Sequence, residues 1–167
     1  MRSALAIAAL AAAVAASSAL GAGAASSGCP QGLIDYGGAK ARVYCGPAKA
    51  TVRLGTSVFK VVGGMCNRTA TTILVNVGTI VIGKTTKPYP SYFGINVGPV
   101  PDTSLAKAKP APRDGTYRGG IISISYRGKG YFARGDGVVT TLSSGRTKGT
   151  FTAKTIDGKP VSGSFTC

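Results

Sequence analysis

The sequence contains no histidine and no tryptophan, and its five acidic residues are all aspartates, so glutamate is absent as well. Histidine is the side chain that most often moves protons near neutral pH, and its absence excludes Ser-His-Asp and Cys-His catalytic sites. Zinc would need thiolate ligands, but the four cysteines are better explained as disulfides. The sequence therefore predicts a non-enzymatic protein with no cofactor and no metal.

The aspartates also give little support for a paired-carboxylate hydrolase. Three of the five precede glycine, in Asp114-Gly115, Asp136-Gly137 and Asp157-Gly158. Such dipeptides favour tight turns, because aspartate bonds to the nearby backbone and glycine accepts a positive φ. We therefore assign these three aspartates to turns rather than to acid–base chemistry.

The first 25 residues have the layout of a secretory signal peptide. Arg2 precedes an apolar run over residues 4–16, and Ala22-Gly23-Ala24 is an A-x-A type cleavage site. The run is too short for a membrane span, and Ser, Gly and Ala follow it. We expect residues 1–25 to be the signal peptide and residues 26–167 to form a single secreted domain. It would have no transmembrane segment and would be associated with the cell envelope.

The rest of the chain has the patterning of strands. Val, Ile, Thr, Tyr and Phe alternate with polar residues, and glycine-containing turns recur at short intervals. We predict an all-β fold, either an antiparallel sandwich or a partly closed barrel, with about eight to ten strands and disulfide links. The predicted strands are residues 41–45, 49–54, 57–62, 72–77 and 79–82 (or one long strand kinked at Gly78), 92–97, 121–127, 130–134, 137–142, 149–156 and 160–167.

Two segments are predicted to lack strands. Residues 29–45 begin with an irregular stretch rich in glycine, before the first strand at 41–45. Residues 99–113 contain Pro99, Pro101, Pro110 and Pro112, which cannot sustain a hydrogen-bonded ladder, and are predicted to form an internal loop.

The four cysteines allow three disulfide pairings, and the sequence alone does not choose among them. Cys167 ends a strand on its apolar side, and Cys66 follows a hairpin strand. This placement favours Cys66–Cys167 and Cys29–Cys45. Loop-closure entropy gives about 3 kcal/mol for the short loop and roughly 4–5 kcal/mol for the long one.

The formal charge is +15, yet no two lysines or arginines are adjacent. The charge could bind an anionic polymer, or it could be a solvated surface that prevents aggregation, and the even spacing favours the second interpretation. The best candidate for anion binding is Arg127, Lys129 and Arg134, which alternate with aromatic residues including Tyr126 and Tyr131. The alternative is a hairpin with its rings in the core and its cations outside.

Two motif matches are interpreted as accidental. Residues 78–85 fit the phosphate-loop pattern G-x-x-x-x-G-K-[ST], but the variable positions favour a strand, and Pro88 and Pro90 prevent a following helix. Lys129-Gly130-Tyr131 begins like an RNA-binding strand signature and then departs from it. Nucleic acid is therefore not an expected partner.

Residues 88–93 contain three aromatic residues, Tyr89, Tyr92 and Phe93, together with Pro88 and Pro90. They are predicted to form an exposed aromatic loop that inserts into a partner protein such as a protease, although such a loop could equally cap one end of the fold. The sequence does not indicate an oligomeric state.

The C-terminal sequence resembles a known group of exported proteins. Gly149-Thr150-Phe151-Thr152 and the final strand ending in Cys167, with Cys66 before an apolar strand, resemble small actinobacterial β proteins of the lipoprotein antigen family. The resemblance implies an export signal, a Gly/Thr-rich β domain, a C-terminal cysteine bonded to an earlier one, and no catalytic residues. Lipidated members have an aliphatic residue three before the modified cysteine. Ser26 occupies that position before Cys29, which leaves Cys29 free to pair.

Two functions follow as expectations. The leading one is a non-enzymatic, secreted or surface-associated basic β protein held at the envelope by charge, with an anionic cell-wall polymer as its partner. The alternative is a secreted inhibitor or protein-binding module that uses residues 88–93.

Overall fold

The structure, a computed structural model, describes residues 28–100 and 108–167. The predicted signal peptide and the middle of the predicted loop at 99–113 lie outside these residues. No helix in the described part of the chain is long and apolar enough to cross a membrane. Its regular structure is thirteen strands: β1 (Gly32–Tyr36), β2 (Ala39–Val43), β3 (Lys49–Leu54), β4 (Ser57–Val62), β5 (Gly64–Arg68), β6 (Ile73–Ile82), β7 (Tyr92–Val97), β8 (Gly115–Arg118), β9 (Ile121–Tyr126), β10 (Lys129–Arg134), β11 (Val139–Ser143), β12 (Lys148–Lys154) and β13 (Pro160–Thr166).

The strands form two antiparallel sheets. The seven-stranded sheet has the order β1-β2-β6-β7-β9-β10, with β5 also paired to β6, and the six-stranded sheet has the order β4-β3-β13-β12-β11-β8. Their apolar faces meet in one core, so the all-β prediction is confirmed, and the sandwich rather than a closed barrel is the form adopted. Thirteen strands are more than the predicted number.

The core follows the alternation seen in the sequence. Phe151 on β12 and Phe165 on β13 are each 2% exposed, and Phe93 on β7 is completely buried. Phe93 and Phe151 stack across the two sheets, with ring centroids 4.8 Å apart. Burial of each such side chain contributes about 1.5–3 kcal/mol, so these rings hold the sheets together.

Strand β6 is continuous through Gly78, which confirms the alternative of one long kinked strand. Gly78 has a φ of 86°, a conformation that other residues rarely adopt. Before this residue β6 pairs with β5 and β7, and after it β6 pairs with β2. Because of the kink, β6 contributes hydrogen bonds to both parts of the seven-stranded sheet. The phosphate-loop match starts at this kink and continues as strand to Ile82, and residues 83–85 are irregular with no helix after them.

Strands β1, β5 and β8 were not predicted. Residues 29–45 are not irregular throughout, since β1 and β2 form a hairpin around Gly37-Gly38, and both glycines have positive φ. Each of the three strands pairs with a single neighbour. All three strands are only four or five residues long and begin with glycine, so each offers too few alternating residues to be recognised from the sequence.

Both predicted disulfides form. Cys29 and Cys45 have Cα atoms 6.0 Å apart and close the base of the β1–β2 hairpin. Cys66 and Cys167 have Cα atoms 5.5 Å apart. Cys66 belongs to the seven-stranded sheet and Cys167 follows the last strand of the six-stranded sheet, so this bond joins the two sheets.

Candidate functional site

An open groove lies between the β3–β4 turn and the β9–β10 hairpin. Its volume is about 410 Å³. We call it the basic groove, and its lining is residues 54–57 together with Tyr126, Arg127, Lys129, Tyr131 and Lys159. It brings three cationic side chains and two aromatic rings along one surface.

The β9–β10 turn sets the geometry of this groove. The turn residues are Arg127 and Gly128, with φ values of 51° and 75°, the left-handed pair that suits a two-residue hairpin. Strand β9 therefore ends at Tyr126 and pairs there with Lys129, one residue before the predicted start of β10. Alternation along β10 then places Lys129 and Tyr131 on the same face.

The cations of the basic groove lie against its rings. The Tyr126 ring stacks on Phe59 with centroids 4.2 Å apart. The Arg127 guanidinium is 5.2 Å from the centroid of Tyr126, and Lys159 Nζ is 4.7 Å from that of Tyr131. Each contact is worth about 0.5–1 kcal/mol at an exposed site, enough to orient a side chain while leaving it free to meet a ligand.

One carboxylate lies next to the basic groove. Lys159 Nζ is 3.8 Å from Asp157, and the two side chains are 48% and 53% exposed, so the pair is weak. The Thr155 hydroxyl donates to Asp157 at 2.6 Å, and this hydrogen bond lowers the pKa of the Asp157 carboxyl. Asp157 lies in the turn before β13, as predicted. With three cations and one neighbouring carboxylate, the basic groove has a net positive charge.

Arg134 does not join Arg127 and Lys129. It is the last residue of β10 and pairs with Ile121, so it lies about 17 Å along the strand from Lys129. It also faces the opposite side of the sheet from Lys129 and Tyr131. The third cation of the groove is Lys159, which is not evident from the sequence because the turn that carries it is distant along the chain.

The prediction of an exposed aromatic loop at residues 88–93 is wrong for two of its three rings. Tyr92 and Phe93 begin β7 and are 6% and 0% exposed. Tyr89 is 38% exposed and is the only accessible ring of the three. Because β7 pairs with β6 on one side and β9 on the other, its residues cannot extend into a partner. The inhibitor hypothesis therefore loses most of its binding surface.

Within residues 28–100 and 108–167, no group of three or more Cys, Asp, Glu or His side chains is placed to hold a metal ion. Comparison with known proteins gives no relative: no family model matches the chain, and no curated protein or solved structure is significantly similar to it. The resemblance to the lipoprotein antigen family stays a prediction.

Proposed function

We propose that this chain is a non-enzymatic, extracytoplasmic protein, associated with the cell envelope, that binds an anionic polymer through the basic groove. The observation that carries the proposal is the alignment of Arg127, Lys129 and Lys159 with two tyrosine rings along one open surface. The two disulfides and the predicted signal peptide support a location outside the cytoplasm.

The chemistry of the groove suits phosphate or carboxylate groups spaced along a flexible chain. Arginine can make paired hydrogen bonds to either group, and lysine adds a mobile point charge. The rings of Tyr126 and Tyr131 are partly exposed and also pack against the core, so they add aromatic contact area beside the cations. Because the whole molecule has a formal charge of +15, its field also attracts a polyanion before contact is made.

The test uses polyphosphate and polygalacturonate as probes. We expect the mature protein to bind at least one of them, with an affinity that falls steeply between about 0.05 and 0.5 M salt, because added ions screen the charges. Replacing the three groove cations, as Arg127→Gln/Lys129→Gln/Lys159→Gln, should weaken binding by about tenfold. Titration calorimetry measures both effects.

The matched control removes the same charge elsewhere. Arg42→Gln/Lys49→Gln/Lys148→Gln changes three exposed cations outside the basic groove and should lower affinity much less. An equal loss in both triple variants would show that charge alone drives binding. If neither polymer binds at low salt, the proposal fails, and the positive charge is then explained as a solvated surface that prevents aggregation.

A further inference from the structure

A second groove lies on the outer face of the seven-stranded sheet. It has a volume of about 280 Å³, and we call it the outer groove. Its lining includes Ile80, Tyr89, Ser123, Ser125 and Phe132, and none of its described lining residues is charged. In a chain with a formal charge of +15, an uncharged groove of this kind points to an uncharged ligand.

Two rings of the outer groove lie against glycines. A Cβ atom at Gly128 would be 3.0 Å from Cδ2 of Tyr89, and one at Gly130 would be 3.4 Å from Cε2 of Phe132. At Gly128 the missing side chain lets the Tyr89 ring approach the backbone closely, whereas at Gly130 the Phe132 ring lies at ordinary van der Waals distance. Tyr89 remains 38% exposed and Phe132 52% exposed, so each ring still offers much of its surface to the groove.

The floor between these rings is small and polar. Ser123 and Ser125 lie on the outer side of β9, directly across from Phe132 and Gly130 in the pairing with β10. Both serines are partly exposed. Hydroxyl groups beside accessible ring surfaces can hydrogen-bond a ligand at its edge while the rings contact its apolar face.

We propose that the outer groove binds a neutral saccharide. A sugar ring has an apolar C–H face, which would lie on Phe132 or Tyr89, and hydroxyl groups at its rim, which would bond to the serines. An acyl chain would leave those hydroxyls buried without partners, which costs free energy. An anion would find no cation in the lining of the groove.

The proposal is separate from the function of the basic groove. Successive residues of β10 face opposite sides of the sheet. Lys129 and Tyr131 line the basic groove, whereas Gly130 and Phe132 line the outer groove. The two sites therefore share a hairpin but use opposite faces of it. A substitution of Phe132 can test one site without changing the cations of the other.

The test begins with the unmodified protein and soluble oligosaccharides of four kinds: cellohexaose, maltohexaose, mannohexaose and chitohexaose. Calorimetry should detect binding to at least one of them, with an affinity that salt leaves unchanged. Phe132→Ala should weaken that binding by about tenfold, because one stacking surface is lost. The chain has no tryptophan, so Phe132→Trp adds a unique fluorescent reporter whose emission should shift on binding.

Matched variants show whether saccharide binding belongs to the outer groove. Val62 is 70% exposed on the six-stranded sheet, and Val62→Ala should leave saccharide binding unchanged. The triple variant of the basic groove should also bind saccharide normally, which distinguishes failure of one proposal from failure of the other. Thermal melting checks that each variant is folded.

Three results would overturn the proposal. The first is that none of the four oligosaccharides binds the unmodified protein. The second is that Phe132→Trp emission responds only to a long-chain fatty acid. The third is that Phe132→Ala changes self-association in sedimentation and has no effect on saccharide, which would make the outer groove a contact between copies of the chain.

Discussion

The hydroxyl of Tyr92 is enclosed on the outer side of the seven-stranded sheet, where it donates to Asn76 Oδ1 at 2.6 Å. The Tyr44 ring lies beside it, with centroids 5.7 Å apart. Burial, together with the neighbouring Tyr44, raises the pKa of Tyr92 well above its ordinary value of 10.0. The folded protein therefore favours the neutral phenol, whereas the unfolded chain loses this proton at ordinary alkaline pH.

This difference predicts a pH dependence of stability. Because the pKa is raised in the folded state, Tyr92 makes its full contribution to the free energy of unfolding below a pH of about 10. This contribution is lost as the pH rises above that value. Tyr92→Phe should lower the free energy of unfolding by about 1 kcal/mol at pH 7, because its hydrogen bond is removed. The difference from the unmodified protein should shrink toward pH 11. Urea unfolding measures it, and a difference that stays constant with pH would contradict the assignment.

At the scale of elements, the turn between β11 and β12 is held by a distant aspartate. Ser144, Gly145 and Arg146 have φ values of 55°, 66° and 61°, and a left-handed conformation costs non-glycine residues about 1–2 kcal/mol each. The Asp114 carboxylate accepts from the backbone N–H groups of Gly145 at 2.9 Å and Arg146 at 2.6 Å. The guanidinium of Arg146 in turn donates to the carbonyl oxygen of Thr69 at 2.9 Å.

Removing the carboxylate should therefore loosen the β11–β12 turn. We expect Asp114→Ala to lower the free energy of unfolding by about 1–2 kcal/mol, since two backbone donors lose a charged acceptor but can reach water. Asp114→Asn should have a smaller effect because it keeps an acceptor. Asp35→Ala is the matched control: its pair with Lys40 is highly exposed and should contribute little. Equal losses for the Asp114→Ala and Asp35→Ala variants in urea unfolding would disprove this role.

At the scale of the whole molecule, the two disulfides act on different parts of the sandwich. Cys29–Cys45 has a sequence separation of 16 and stabilises one hairpin at the edge of its sheet. Cys66–Cys167 has a sequence separation of 101 and connects one sheet to the other. Cys66 and Cys167 also pack against the hydrophobic core.

The inter-sheet bond should matter more for stability. Replacing Cys66 and Cys167 by alanine should lower the free energy of unfolding by about 4–5 kcal/mol, compared with about 3 kcal/mol for the same change at Cys29 and Cys45, because a longer loop restricts the unfolded chain more. Urea unfolding of the two double variants gives the comparison. A larger loss from the hairpin bond than from the inter-sheet bond would contradict this order.

Local patterning was enough to predict much of this fold. Strands β3, β4 and β7 have the bounds expected from the sequence. Apolar and polar residues alternate along β3 and β4, and β7 is a mostly apolar segment between Pro90 and Gly98. The disulfide pairing that the placement of Cys66 and Cys167 favoured is confirmed, although the sequence alone left three pairings open. Strands β1, β5 and β8 were missed because each is only four or five residues long and begins with glycine, so each shows little alternation in the sequence.

The grooves could not be derived in the same way. The sequence placed Arg127 and Lys129 correctly on one hairpin, but only the packing of the two sheets brought Lys159 beside them. Arg134 lies away from them for a local reason, because it is five residues along β10 from Lys129 and faces the opposite side of the sheet. The outer groove likewise depends on the register of β9 against β10. Alternation along a strand is a local property and can be read from the chain, whereas the neighbours of a surface side chain are fixed by strand order and register, which depend on contacts between distant residues.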